Sequence, residues 1–302
     1  MKYIIGTRGS KLALVQTKLV IQNLKSAYPQ DEFIAKVIKT TGDMNQKRRL
    51  DEIGSKGIFV KEIEDELLDG TISMAVHSMK DMPDEPAEGL IFAKAWKRED
   101  PRDVLILKKA ESLDELPYRA VIGTGSKRRA YQISAMRPDL KIVSIRGNVD
   151  TRIRKLKEGQ LCEGEILDGI VIAAAGIKRI GRADEITQYL SCDEMIPAPA
   201  QGTLALELKA DNLDLLEKLN ALSDEAAQES VDAERGFLKQ IGGNCHLPVA
   251  AYCDKTDKGT FRLRAMFGTD DGSRLAFTDI TDDDTEKIVE RAVEEIRRQL
   301  EK

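Results

Sequence analysis

The stretch YIIGTRGSK, residues 3–11, returns in altered form as VIGTGSKRR at residues 121–129. In both copies an apolar run leads through Ile-Gly-Thr to a serine followed by basic residues. The apolar runs predict buried strands, and the Gly/Thr/Ser turns predict helix starts whose free backbone N–H groups favour anions. Two ordinary Ser-capped helices with solvated arginines are the alternative. Because the same residue order occurs twice, we favour two similar lobes that grip a polyanionic ligand.

Strand-like and helix-like segments alternate beyond the first copy. Apolar periodicity predicts a helix that ends near Ala27, a strand over residues 33–38 and a helix over residues 58–68. Residues 72–76 predict a strand that delivers the segment HSMKD, residues 77–81, at its carboxyl end. This alternation indicates a mostly parallel sheet covered by helices, in which ligands bind beyond the carboxyl ends of the strands.

We predict an α/β protein with two periplasmic-binding-protein-like lobes and a small α+β third domain. The predicted boundaries are residues 1–99 with 200–217 for the first lobe, 100–199 for the second lobe and 218–302 for the third domain. The chain is expected to cross between lobes near residues 98–103 and to return at PAPAQG, residues 197–202. A strand over residues 203–208 then joins the first lobe, and two such crossings form a hinge. The polar segment 158–168 is predicted to be a surface hairpin.

Bulk composition excludes several classes of protein. The net charge of -5 and the pI near 5.4 argue against a general nucleic-acid binder. No stretch approaches the roughly 20 apolar residues of a spanning helix, and the amino terminus lacks the apolar region of a signal peptide. The four cysteines show no C-x-x-C spacing, and with only two histidines a zinc site is not expected. We therefore expect a cytoplasmic protein with reduced thiols and no membrane or nucleic-acid partner.

Six arginines fall at or just beyond predicted strand ends, where a planar guanidinium can bind a carboxylate or phosphate through two hydrogen bonds. One such arginine is ordinarily a surface charge, but six at the same edges of an acidic chain indicate an anion site. Four lysines add weaker candidates. The arginines are Arg8, Arg128, Arg129, Arg146, Arg152 and Arg179, and the lysines are Lys56, Lys61, Lys80 and Lys127.

Two further residues stand out by their context. Asp81 is a carboxylate among cations, and it either caps or ion-pairs in the turn before Pro83 or stabilises positive charge on a substrate. Cys245 follows Gly242-Gly243-Asn244, where a reactive thiolate is as reasonable as the usual small buried side chain. The adjacent His246 does not form a hydrolytic dyad with it, because neighbouring side chains on a strand point apart.

Several motifs resemble the porphobilinogen deaminase (hydroxymethylbilane synthase) family over the whole chain. They are TRGS at 7–10, KGIFVK at 56–61, HSMKD at 77–81, REDPRD at 98–103, Gly123-Thr124 with Ser126 and Arg128-Arg129, RGNV at 146–149 with Thr151-Arg152, AGIKR at 175–179, Gln201-Gly202, and Gly243 with Cys245. Gly125 and Lys127 depart from the family, which usually has serine and an apolar residue there.

The resemblance implies a transferase that joins four porphobilinogens head to tail, with loss of ammonia, into hydroxymethylbilane. It implies a dipyrromethane cofactor bound through a thioether to Cys245, with Asp81 as the catalytic carboxylate. The implied cofactor contacts are Ser78, Lys80, Thr124, Ser126, Arg128, Arg129, Arg146 and Gly147. The implied substrate contacts are Arg8, Ser10, Lys56, Arg152, Arg179 and Gln201. The family also leads us to expect a monomer.

The physical interpretation of the residues agrees with this chemistry. Each pyrrole carries two carboxylates, so a growing chain is a polyanion, and its coupling passes through a cationic ring that Asp81 could stabilise. A two-lobed anion-binding protein, such as a solute receptor, is the alternative hypothesis. It explains the lobes and the arginines, but it leaves Asp81 and Cys245 without a role.

Overall fold

The computed structural model describes residues 1–40, 60–243 and 247–301, and its strands form three separate sheets. Apolar runs form the central strands because both faces of each lobe sheet are covered. The first sheet contains β1 (Lys2–Arg8), β2 (Glu32–Ile38), β3 (Met74–Ser78), β4 (Leu90–Phe92) and β10 (Leu204–Lys209). The second contains β5 (Asp103–Leu107), β6 (Val121–Gly123), β7 (Lys141–Val143), β8 (Gly169–Ala173) and β9 (Gln188–Leu190).

The first sheet has the order β2-β1-β3-β10-β4. Strand β1 runs parallel to β2 and β3, whereas β10 runs antiparallel to β3 and β4. The predicted strand over 203–208 therefore joins the first sheet, as expected. The strand predicted over residues 72–76 instead begins at Met74 and continues to Ser78, which brings its end directly to the segment that follows.

The second sheet repeats this plan with the order β7-β6-β8-β5-β9. Strand β6 is parallel to β7 and β8, while β5 is antiparallel to β8 and β9. In each of these two sheets, three neighbouring strands are parallel. One further strand, β10 or β5, runs antiparallel to both of its neighbours. The expectation of two similar α/β lobes with mostly parallel sheets is confirmed, since all strands but β10 or β5 run in the same direction in each of these two sheets.

The third sheet is an antiparallel meander of β11 (Val249–Lys255), β12 (Phe261–Gly268) and β13 (Leu275–Asp282). The β12–β13 turn contains Asp270, whose carboxylate pairs with Lys127 and whose carbonyl accepts a hydrogen bond from the Tyr131 hydroxyl at 2.8 Å. The unusual lysine at position 127 therefore fastens the third sheet to a helix that follows β6.

Most helices of the described chain begin at polar caps, whereas two begin after Val60 and Ala173, which make no side-chain cap hydrogen bond. Ser10, Ser126 and Asn148 accept a backbone N–H in the first turn of three of these helices. The helices are α1 (Lys11–Ala27), α2 (Lys61–Leu68), α3 (Lys127–Met136), α4 (Val149–Glu158), α5 (Ala174–Arg179), α6 (Leu213–Asn220), α7 (Glu225–Ile241) and α8 (Thr285–Leu300).

Each sheet has its own apolar core. Tyr3, Ile5 and Leu206 belong to a core of the first sheet, Ile122 and Val171 to one of the second, and Phe237 joins the third sheet to α7. The chain divides into two compact units, Met1–Arg98 with Thr203–Gln228, and Glu99–Gly202 with Glu229–Lys302. We call them the first unit and the second unit; the second unit holds both the second and the third sheet.

The polar segment after α4 forms the expected hairpin. Cys162 and Glu165 exchange two backbone hydrogen bonds, of 2.8 and 3.0 Å, in an isolated antiparallel bridge. Across the ranges 1–40, 60–243 and 247–301, every helix is too short or too polar to cross a membrane.

Candidate active site

In the first unit, the carboxyl ends of β1 and β3 lie side by side because the two strands are parallel neighbours. Strand β1 ends at Arg8, and Ser10 then caps α1 by accepting the Ala13 N–H at 3.3 Å. Strand β3 ends at Ser78 and leads into a single 3₁₀ turn, Met79–Asp81. The predicted residues of this unit therefore gather at one edge of the first sheet.

Ser78 has a partner that the sequence did not reveal. Gln16, which is buried on α1, donates from Nε2 to the Ser78 Oγ at 2.9 Å. A hydroxyl that accepts a hydrogen bond still has its own proton to donate, so Ser78 is oriented as a donor. A glutamine on the inward face of a helix was the available signal for this contact.

Asp81 lies on the surface of the same turn. Its carboxylate is exposed, and within the described residues it makes no hydrogen bond or ion pair. The alternative was that Asp81 forms an ion pair or a cap in the turn before Pro83. The described residues show neither contact. An exposed and unpaired carboxylate is available to a bound cation.

His77 precedes Ser78 but belongs to the packing of the sheet. Its Nε2 lies 3.1 Å from Glu207 Oε2 on the adjacent strand β10, and both side chains are buried. The pKa of Glu64 on α2 is raised, first by its own burial and second by the negative charge of Glu207. This pair joins β3 to β10 and so supports the strand that ends at the predicted site.

In the second unit, three parallel strands end at the other set of predicted residues. Thr124 follows β6, and its Oγ1 accepts the Ser126 N–H at 3.1 Å. Ser126 in turn caps α3 by accepting the Arg129 N–H at 3.5 Å. Arg146 follows β7, and Arg179 ends α5, the helix that follows β8. The two Ile-Gly-Thr copies thus occupy equivalent places in the two sheets.

Arg128 and Arg129 are buried and share one carboxylate, that of Asp103 on β5. Arg128 Nη1 lies 2.8 Å from Asp103 Oδ2, and Arg129 Nη2 lies 2.8 Å from Asp103 Oδ1. The exposed fractions are 4%, 6% and 0% for Arg128, Arg129 and Asp103. Burial lowers the pKa of Arg128, and the Asp103 charge opposes that shift. Two cations with one anion leave a net positive charge beneath this edge of the sheet, which favours an incoming carboxylate.

The two arginines differ in how many of their guanidinium N–H donors already have a protein acceptor. Arg129 also approaches the Val171 carbonyl and the Gln201 Oε1, at 3.4 and 3.5 Å, so protein acceptors surround it. Arg128 adds one hydrogen bond from Nη1 to the Ile196 carbonyl at 2.7 Å. Arg128 therefore has more N–H donors available to a ligand than Arg129 has.

Gln201 lies inside this network. It is fully buried, and its Nε2 donates to the Pro101 carbonyl at 2.7 Å and to Asp103 Oδ1 at 3.0 Å. The sequence predicted that Gln201 contacts substrate directly. In the structure its Nε2 donates to Pro101 and Asp103, and a substrate contact of Gln201 stays a prediction.

Gly147 and Arg152 are joined across the start of α4. Arg152 Nε donates to the Gly147 carbonyl at 2.8 Å. Gly147 has φ +111°, and a Cβ there would lie 2.6 Å from Thr151 Cγ2. Only glycine fits this close approach, so the RGN motif gives the α4 start its shape.

Arg179 is a half-buried arginine with one unsatisfied N–H donor. Its Nη2 donates to the Gly202 carbonyl at 2.6 Å, while its Nε is buried with no hydrogen-bond partner in the described residues. Burial lowers the pKa of Arg179 to about 10, and Glu99 weakly opposes the shift. An incoming anion would satisfy the unpaired N–H and restore the favourable energy of the charge.

Two predicted residues, Lys56 and Cys245, lie outside the described residues. Helix α7 ends at Ile241, and Gly242 follows it with φ +73°. The other three cysteines, Cys162, Cys192 and Cys253, are free thiols that are buried or half-buried. Within the described ranges, no group of three or more His, Cys, Asp or Glu side chains is arranged to bind a metal.

These features define an α/β protein with clusters of basic groups beyond the strand ends of its second sheet. The family model described as "Porphobilinogen deaminase, dipyromethane cofactor binding domain" matches residues 3–217, and the one described as "Porphobilinogen deaminase, C-terminal domain" matches residues 228–298. The chain therefore belongs to the porphobilinogen deaminase family. It is accordingly a transferase that condenses porphobilinogen into hydroxymethylbilane with a dipyrromethane cofactor.

Curated relatives cover nearly the whole chain. The porphobilinogen deaminase of Lachnospira eligens is 56% identical over 288 residues, 95% of this chain and 96% of that protein. That of Clostridioides difficile is 51% identical over 284 residues, 94% and 92% of the two chains. Among solved structures, the BvgS VFT2 domain of Bordetella pertussis shares 15% identity at a TM-score of 0.44, over 78% of this chain and 91% of that one. The family assignment depends on the sequence relatives.

The residues present fit a dipyrromethane. That group carries several carboxylates, and the second unit offers a buried arginine pair with surplus positive charge and Arg179 with an unpaired Nε. Charge-assisted hydrogen bonds from guanidinium to carboxylate are the strong ones in proteins.

Proposed function

We propose that Asp81 is the catalytic carboxylate of the condensation and that the basic residues at the two strand edges hold the acid groups of the substrate and of the growing chain. The single observation that carries the binding part of this proposal is Arg179, a half-buried arginine whose buried Nε lacks a hydrogen-bond partner in the described residues. Such a group is costly unless an anion completes it.

The second unit supplies binding. Arg128, held by Asp103, presents its free edge to a carboxylate, and Arg179 completes its hydrogen bonds with another. Thr124 and Ser126 add hydroxyls at the start of α3, where the helix dipole also favours negative charge. Arg146 and Arg152 extend the basic surface at the start of α4.

The first unit supplies chemistry. Condensation breaks the bond between the substrate's aminomethyl carbon and its nitrogen, which leaves as ammonia, and that carbon then bonds to the terminal pyrrole carbon of the growing chain. The Asp81 carboxylate stabilises the positive charge that develops on the pyrrole nitrogen and accepts the proton that leaves the coupled carbon. Ser78, oriented by Gln16, and Lys80 hold acid groups beside it. Arg8 and Ser10 do the same from the neighbouring strand end. The dipyrromethane, attached through Cys245, supplies the pyrrole carbon at which chain growth begins.

Three further statements belong to this proposal. The chain is organised as two α/β lobes, residues 1–99 with 200–217 and residues 100–199, and an α+β domain, residues 218–302. It acts as a monomer, and it works in the cytoplasm. Sedimentation of the purified protein tests the second statement, because a dimer would double its mass.

Turnover with porphobilinogen tests the proposal as a whole. The purified protein is incubated with porphobilinogen, and released ammonia and linear tetrapyrrole are measured together. We expect four ammonias for each hydroxymethylbilane. Saturable binding of porphobilinogen without release of ammonia would instead support the alternative of an anion-binding protein.

A further inference from the structure

Glu234 is a buried carboxylate to which neither the chemistry nor the binding of substrate assigns a role. It lies in the middle of α7 and has no exposed surface. Its Oε2 accepts the Ala200 N–H at 2.6 Å, and its Oε1 accepts the Cys253 N–H at 2.9 Å. A buried carboxylate is costly and is kept only when its hydrogen bonds compensate that cost. The two bonds connect the return segment, residues 197–202, with strand β11.

Ala200 has an unusual backbone conformation. Its φ is +59°, in the left-handed region that L-residues other than Asn and Asp rarely adopt. Two other described non-glycine residues have positive φ, Arg119 and Glu163, and both are exposed in turns. Ala200 is fully buried, so the surrounding structure must hold it in place. The Ala200 N–H donates to the Glu234 carboxylate, which is a contact able to do so.

The conformation at Ala200 determines where the next residue lies. Gln201 donates to the Pro101 carbonyl and to Asp103, and Asp103 pairs with both Arg128 and Arg129. A change in φ at Ala200 would swing Gln201 away from Asp103. Glu234 is therefore linked to the guanidinium pair through two residues of backbone and one amide.

The same carboxylate also fixes the other side of the segment. The Cys253 N–H that it accepts lies on β11, and the Ala251 N–H of that strand donates to the Pro197 carbonyl at 3.1 Å. Both ends of the segment are thus tied to the third sheet and to α7.

We propose that Glu234 is a positioning residue that holds Ala200 in its left-handed conformation and thereby sets the Gln201 amide against the Asp103–Arg129 pair. The kinetic part of this proposal rests on the proposed function of the guanidinium pair. The structural part, the anchoring of Ala200, does not.

The test combines Glu234→Gln with Ala200→Gly. Glutamine has the same shape, but its NH₂ group faces one of the two N–H donors, so one hydrogen bond is lost. Glycine adopts positive φ without strain, so it needs the anchor less. Because Glu234 also has other contacts, the double variant isolates the Ala200 contribution. Glu229→Gln is the matched control, since Glu229 lies on the same helix and its exposed ion pair with Lys255 is 3.4 Å long.

Hydrogen exchange gives the readout that is independent of activity. In Glu234→Gln, the Ala200 amide is expected to exchange about 10-fold faster, because its hydrogen bond to a charged carboxylate is lost or replaced by a weaker one to a neutral amide. Glu229→Gln should leave that amide unchanged. Unchanged exchange at Ala200 in Glu234→Gln would overturn the proposal.

Kinetics of the cofactor-loaded protein give the second readout. Glu234→Gln is expected to lower kcat/KM for porphobilinogen about 10-fold, mainly through KM, and by about 3-fold or less when Ala200 is glycine. A purely structural role would lower Tm with unchanged kinetic constants, or give equal factors in both backgrounds, and either result would overturn the proposal. If the wild-type protein does not turn over porphobilinogen, the proposed function fails and the exchange readout still decides the anchoring of Ala200.

Should Glu234→Gln alone fail to fold, the double variant replaces it. We then expect Ala200→Gly to restore folded protein, because it removes the strain that the anchor opposes. No recovery in the double variant would overturn the proposal.

Discussion

At the scale of single residues, burial divides the arginines into two kinds. Arg128 and Arg129 have a carboxylate partner, Asp103, that offsets part of the cost of burying them. Arg179 has a backbone carbonyl and an unpaired Nε within the described part of the chain. A charge of the second kind gains most from a bound carboxylate, so it should contribute most to affinity.

Arg179→Gln should therefore lower kcat/KM for porphobilinogen by roughly 10- to 100-fold, since a charge-assisted hydrogen bond contributes about 1.5–3 kcal/mol. Steady-state kinetics of the cofactor-loaded variant measure this. Arg182→Gln is the matched control, because Arg182 is three residues away and already paired with Asp150 and Glu185. Equal losses in the two variants would contradict the assignment of Arg179.

The same arginine gives a pH dependence with a definite sign. Burial lowers the pKa of Arg179 to about 10, so its charge is complete below that pH. A bound anion raises that pKa, and the affinity due to Arg179 is lost as pH rises past about 10. The difference in KM between the wild-type protein and Arg179→Gln should shrink above that pH.

Asp81 permits the cleanest separation of chemistry from stability. It is exposed and unpaired within the described residues, so Asp81→Ala should change the free energy of unfolding by less than about 0.5 kcal/mol. The variant should keep its cofactor mass, while kcat falls at least about 100-fold. Glu88→Gln, an exposed carboxylate seven residues further on, should behave as wild type. Normal turnover in Asp81→Ala would refute the catalytic role.

Individual contacts were the part of the site that the sequence revealed least. The sequence placed Arg128 and Arg129 at a strand end, but it could not show that Asp103, 25 residues earlier, takes up both. Such pairings depend on which strands become neighbours. Glu234 did leave a signal, since it interrupts the apolar stripe formed by Ala227, Val231, Leu238 and Ile241. A carboxylate on a buried stripe predicts an internal hydrogen-bond acceptor.

At the scale of elements, the start of α4 is a place where backbone conformation and close packing act together. Gly147 has positive φ, its carbonyl accepts from Arg152, and Thr151 occupies the space where a Cβ would lie. The strand end before it and the helix after it carry Arg146 and Arg152. A change at Gly147 should therefore move both basic groups.

Gly147→Ala is expected to raise KM several-fold and to lower stability by about 1–3 kcal/mol, because backbone strain and the Thr151 clash act together. Gly159→Ala separates the two effects. Gly159 follows the last residue of the same helix with φ +66°. A Cβ added there would have Lys108 Nζ as its nearest neighbour, at 3.8 Å. The Gly159→Ala variant should therefore lose stability while its KM stays unchanged. An unchanged KM in Gly147→Ala would contradict the account.

Elements were predictable where a local pattern determines them. Apolar runs and Ser or Asn caps revealed β1, β6, α1 and α3, because the same residues decide both the strand end and the helix start. The pairing of the added strands was less accessible. Strands β5 and β10 are antiparallel to their neighbours, and this direction follows from where the chain enters each sheet.

At the scale of the whole molecule, the distribution of charge matters more than its sum. The chain carries a net charge of -5, yet guanidiniums collect at the strand ends of the second sheet. An acidic exterior discourages general polyanions such as nucleic acids, while a local basic site binds a small one. The sequence already predicted this contrast, since it depends on position along strands and not on tertiary contacts.

The central claim is that this basic site holds an oligopyrrole attached to Cys245. The mass of the intact purified protein tests it most directly. We predict an excess over the 33.6 kDa polypeptide equal to two porphobilinogens less two ammonias, and no excess in Cys245→Ser. A wild-type protein at the bare polypeptide mass, or the same excess in Cys245→Ser, would contradict the claim.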